Sequence, residues 1–63
     1  MTNYKMKKAY RIYDNKSGEI LLSFATTSDE KALEIAKEMY DMEGKKLEKW
    51  NGIQAPNKWT EII

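Results

Sequence analysis

The side chains able to do covalent or acid–base chemistry in this chain are few. None of its 63 residues is histidine or cysteine. That removes the commonest general base, the thiolate nucleophile, disulfides and the usual soft metal ligands. The hydroxyls that remain belong to Ser17, Ser23, Ser28, four threonines and four tyrosines, and none has a histidine to activate it. Carboxylates at Asp29, Glu30, Glu34, Glu38 and Asp41 follow a spacing that strings them along one polar helix face. An acid–base pair needs two carboxyls in environments that push their pKa values apart, which a solvated row does not supply. No loop alternates Asp, Asn and Gly as a calcium site does. Gly18, Gly44 and Gly52 are too far apart to cradle a phosphate. The expectation is a non-enzyme, with no catalytic residue, no metal ligand and no cofactor.

Recognition chemistry is left. The formal charge is +1, which exerts no global pull on nucleic acid or membrane. Its distribution says more. Residues 1–16 carry five cations and one anion, residues 28–43 six anions and two cations, and residues 44–58 four cations and one anion. Basic strands and an acidic helix follow. If the helix covers one face of a sheet, the other face presents Lys5, Lys7, Arg11 and Tyr13, with Lys46, Lys58 and Trp50 beside them. Cations beside aromatics can neutralise phosphates and stack bases. Against that, one cation of the eleven is Arg, the residue that base edges and phosphates favour. Lysines on exposed strands are also an ordinary defence against edge pairing. The row Glu30, Glu34, Glu38 and Asp41 is likewise either a solvated face or a docking surface for a basic partner. Trp50 and Trp59 are either interface anchors or, more in keeping with so small a core, lid and core residues.

The elements that must position these groups can be read from periodicity. Residues 4–13 alternate as a strand, with Tyr4, Met6, Tyr10 and Ile12 on one face and Lys5, Lys7, Ala9, Arg11 and Tyr13 on the other. Asp14-Asn15-Lys16-Ser17-Gly18 is a turn, and Glu19 to Ala25 a second strand with Ile20, Leu22 and Phe24 toward the core. Thr27-x-x-Glu30 fits a capping box, with Ser28 the competing cap. A helix is predicted over 28–43, its stripe carrying Ala32, Leu33, Ile35, Ala36, Met39, Tyr40 and Met42, with Gly44 ending it. Lys46 to Trp50 reads as a third strand and Lys58 to Ile62 as a last one. Between them, Asn51-Gly52 and Pro56 leave open a short strand at 53–55 or one irregular loop. The expected class is α+β: a mostly antiparallel sheet in ββαββ order, the first strand central, with one helix on one face.

The run from Tyr10 to Leu22, YRIYDNKSGEIL, and that from Ser28 to Lys37, SDEKALEIAK, resemble small ββαβ proteins encoded by bacteriophages and mobile elements. The resemblance covers residues 9–50 and rests on a hairpin turn and a capped helix. Where such proteins have an assigned role, many bind and inhibit a host enzyme, the anti-CRISPR and other anti-defence proteins among them. No residue-level motif carries such an activity over to this chain.

Length completes the reading. A chain of this size is one small domain, 1–63, with residues 1–5 as a loose extension, and buries only about 60% of its unfolded surface. The longest apolar run, Ile20-Leu21-Leu22, is too short for a signal or transmembrane segment, so the expected location is the cytoplasm, without membrane contact. Three functions stand open. A protein-binding module, of the phage-inhibitor kind acting on a host nucleic-acid enzyme, leads. A small nucleic-acid-binding protein using the basic sheet face is second. Third is a homo-oligomeric assembly protein, joined through the C-terminal strand edge that Ile62-Ile63 suggests.

Overall fold

The alternation that predicts a first strand is realised in a computed structural model that describes residues 7–63. Tyr4, Lys5 and Met6 therefore lie outside the described residues. The elements are β1 (Lys8–Asp14), β2 (Ile20–Thr26), α1 (Asp29–Met39), β3 (Lys45–Trp50) and β4 (Trp59–Glu61). All pairings are antiparallel, in the spatial order β2-β1-β3-β4. The class is α+β, with one helix packed on a four-stranded sheet, and β1 is central as expected.

Local chemistry explains the first hairpin and the helix start. Asp14 accepts the Lys16 amide on its side chain and the Gly18 amide on its carbonyl, at 2.9 and 2.8 Å. Gly18 has φ of 75°, where a side chain would be strained. Ser28, not Thr27, caps the helix: its hydroxyl accepts the Lys31 amide at 3.2 Å. Asp29 and Glu30 then occupy the first turn, where the helix dipole favours anions.

Tyr10, Ile12, Ala32, Ala36 and Leu47 form the buried core. Ala32 and Ala36, one turn apart, leave room for the helix to approach the sheet. Leu21, Leu22, Phe24, Leu33, Tyr40, Met42 and Ile62 surround this centre and stay part-exposed. The Tyr10 ring stacks on Phe24 with centroids 5.8 Å apart.

Three expectations are corrected. A β-bulge shifts the β1–β2 register between Ile12 and Tyr13, so Ile12 faces Leu22 and Tyr13 faces Ile20. The extra residue, Leu21, packs on the core in place of Ile20, which turns to the open face and is 43% exposed. The helix stops at Met39, not at 43. Tyr40 is extended at φ −144°, and its hydroxyl donates to the Leu21 carbonyl at 3.4 Å. Asp41 therefore sits in a loop rather than on the helix, and Met39 is solvent-facing. Gly44, at φ 74°, serves the turn into β3 instead of the helix end. Between β3 and β4, where the sequence leaves both a short strand and an irregular loop open, the loop is realised: residues 51–58 hold no strand at 53–55. The Asn51 side-chain amide donates to the Asn57 carbonyl and the Thr60 hydroxyl. The Lys58 ammonium donates to the Ile53 and Ala55 carbonyls. Two polar side chains thus hold Pro56 in a wider connection than a two-residue turn.

Candidate functional site

The period-2 alternation that sends Tyr10 and Ile12 into the core sends Ala9, Arg11 and Tyr13 to the opposite face of the sheet. Register extends that face across the strands. Ala25, Ser23 and Ile20 lie on one side of β1, and Glu48 and Lys46 on the other. Trp50 shares this face on β3, and Trp59 and Glu61 on β4.

Arg11 organises it. Its Nε donates to Glu48 Oε1 at 2.6 Å. The guanidinium reaches past β3 and lies over the Trp59 ring, 3.8 Å from the centroid. Trp59 packs on Trp50 with centroids 5.1 Å apart and planes tilted by 56°. Glu48 stands opposite Glu61 across β3 and β4, a like-charge pair that Arg11 relieves. A cation over an indole contributes about 0.5–1 kcal/mol at a partly wet site, and a charged hydrogen bond about 1.5–3 kcal/mol. The arginine is thus part of the sheet's own packing. At the other end the Lys46 ammonium stands 5.4 Å from the Tyr13 ring centroid.

This geometry revises the expected basic face. Arg11 is neutralised by Glu48, and Lys58 is occupied by its own loop. Trp50 and Trp59 lie on the face opposite the core, so of the two readings open for them the favoured core reading is corrected. Lys7 is exposed at the start of the described chain. Glu30, Glu34 and Glu38 are exposed on the helix and Asp41 in the following loop, so they form no joint surface with Arg11, Tyr13 and the tryptophans. Glu48 is the residue that sequence reasoning missed. Its signal was a single anion within a basic stretch, and only the β1–β3 register shows that it opposes Arg11.

Titratable groups elsewhere serve the fold. The Tyr10 hydroxyl donates to Asp29 Oδ1 at 2.6 Å. Burial first, then that hydrogen bond and the carboxylate charge, push the tyrosine pKa up to about 12. The same bond holds the Asp29 carboxyl below its ordinary value, helped by Lys49, whose ammonium is 3.7 Å away. Asp14 is also lowered, chiefly by the Lys16 amide. A shallow groove beside it is lined by Asp14, Lys16, Asp41, Glu43, Gly44 and Lys45. There the Asp14 and Asp41 carboxylates accept backbone amides of their own turns. Among the described residues, no group of three or more Asp or Glu is placed to hold a metal ion, and no helix is long and apolar enough to cross a membrane.

In comparisons with known protein families, curated proteins and solved structures, nothing matches this chain, so the resemblance to phage proteins gains no support from them.

Proposed function

We propose that this chain is a non-enzymatic protein-binding module whose recognition surface is the sheet face bearing Tyr13, Arg11, Trp50 and Trp59. The observation that carries this reading is the Arg11 guanidinium held between Glu48 and the Trp59 ring. Trp, Tyr and Arg are the residues that concentrate binding energy at protein interfaces, and here Arg11, Trp59 and Trp50 are pre-ordered against one another, with Tyr13 on the same face. The patch is close to electrically balanced, so it suits an apolar or aromatic ridge on a partner better than a phosphate backbone. Inhibition of a host nucleic-acid enzyme, as phage-type inhibitors perform it, is the narrower form of this proposal.

The test is capture of protein from a host lysate by the parent chain and two variants. Trp59→Ala should lose the captured partner. Glu34→Lys/Glu38→Lys, altered on the helix, should retain it. Retention by Trp59→Ala and loss by the helix variant would transfer the site to the acidic face. Binding of DNA or RNA that weakens steeply with salt, through the release of counterions, would support the nucleic-acid reading instead.

A further inference from the structure

One edge of the sheet lacks the usual protection. β2 is an edge strand of seven residues, ILLSFAT, without charge or proline, in a chain that is 33% charged. The opposite edge, β4, is only three residues long. Natural edge strands are guarded by charges, prolines, brevity, bulges or a covering element. Among the described residues only the bulge guards β2, and it lies at Leu21, leaving Leu22 to Thr26 regular.

The ladder fixes which groups are open. Asp14 bonds back to Glu19, Asn15 to Gly44 and Asn51 to Lys58. With strict antiparallel alternation, even-numbered residues of β1 bond β2, so Leu22, Phe24 and Thr26 point inward to β1. Ser23 and Ala25 then direct both amide and carbonyl outward, with no partner among the described residues. Toward the bulge, the Tyr40 hydroxyl takes the Leu21 carbonyl and closes the open stretch. The core is also unfinished on this side: Leu21, Leu22, Phe24 and Leu33 are only partly buried. Small domains commonly complete such a core by oligomerising.

We propose that a second copy of this chain pairs along β2, antiparallel about a two-fold axis at Phe24. Ser23 of each copy then stands opposite Ala25 of the other, so the outward amides and carbonyls satisfy one another. The two Phe24 rings meet on the helix side as a close cross-strand aromatic pair. The result is a continuous eight-stranded sheet with both helices on one face. An uncharged edge offers no counter-charge to a charged strand, and this chain carries an uncharged strand of its own. A two-fold contact of that kind is self-complementary and closed. The contact lies on the β2 edge, away from both the C-terminal edge and the Trp50–Trp59 patch.

Sedimentation equilibrium of the full chain tests this. The expected mass at high concentration is twice the 7.4 kDa of one chain. Ser23→Lys/Ala25→Lys should give a monomer with unchanged circular dichroism, because like charges then oppose across the axis. Mixing it with Ser23→Glu/Ala25→Glu should restore the dimer mass. Trp59→Ala should leave the dimer intact, which separates this contact from the partner-binding reading. Should the lysine variant lose its fold, a synthetic chain N-methylated at the Ala25 amide removes one outward donor alone and should weaken dimerisation roughly tenfold or more. A parent chain that is monomeric at every concentration, a folded lysine variant that keeps the dimer mass, or an N-methylated chain that dimerises as the parent does would overturn the proposal.

Discussion

Tyr10 shows how one side chain ties three elements together. Its ring fills the core between sheet and helix, and its hydroxyl anchors Asp29, which also faces Lys49 of β3. Two pH dependences follow, with opposite signs. The tyrosine pKa is raised in the folded chain, so its contribution is complete below the unfolded value near 10. It is lost as pH climbs from there toward about 12. The Asp29 pKa is lowered, so its contribution is present above the ordinary value of 3.8 and disappears as pH falls below it. Ultraviolet titration should show a tyrosine ionisation that completes only as pH nears about 12, and Tyr10→Phe should abolish that late step. The same variant should lose about 0.5–1.5 kcal/mol of stability at neutral pH, since Asp29 remains accessible to water when its partner is removed. Chemical denaturation of the parent and Tyr10→Phe at neutral and alkaline pH measures both effects; parallel pH curves would separate Tyr10 from the alkaline loss.

At the scale of elements, burial decides which contacts matter. Leu47 is fully buried at the middle of β3, opposite Ile12 and beside Ile62. Leu47→Ala should cost about 2–5 kcal/mol through the cavity it leaves. Met39, 56% exposed at the last helical position, should tolerate alanine within about 0.5 kcal/mol. Leu33 and Phe24 are half-buried and should fall between these limits. Ser28→Ala should cost about 1 kcal/mol by removing the acceptor for the Lys31 amide, whereas Thr27→Ala should cost less. Thermal melts of the six variants provide the ranking, and equal losses at Leu47 and Met39 would contradict the placement of the helix over the sheet.

The whole molecule separates its two charged regions unequally. On the helix, Glu34 and Glu38 face water, so reversing both to Lys should change stability by no more than about 0.5 kcal/mol per site. Arg11→Glu is a different kind of change, because it sets a carboxylate beside Glu48 and Glu61 and strips the cation from Trp59. It should destabilise the sheet by about 1–3 kcal/mol and alter tryptophan fluorescence. Lys7→Glu, at an exposed position, should do neither. If Arg11→Glu unfolds at the parent's denaturant midpoint with the parent's emission, the Arg11–Glu48–Trp59 cluster does not hold in solution.

Much of this could be read from residue order alone, because it depends on near neighbours. The Asp14 to Gly18 turn, the capped helix start and the alternation of Tyr10 and Ile12 against Arg11 and Tyr13 are local consequences of side-chain type. Absence of histidine and cysteine likewise narrows the available chemistry before any folding. What sequence could not reveal depends on register and on competition between distant groups. The bulge that exchanges Leu21 for Ile20 costs no residue type and leaves no mark in the pattern. Tyr40 leaves the helix because an acceptor nineteen residues earlier in the chain stands within reach of its hydroxyl. The balanced Arg11–Glu48–Trp59 cluster exists only once β3 lies between β1 and β4. Strands distant in sequence then bring a cation, an anion and an indole onto one face, and a stretch that reads as basic becomes nearly neutral.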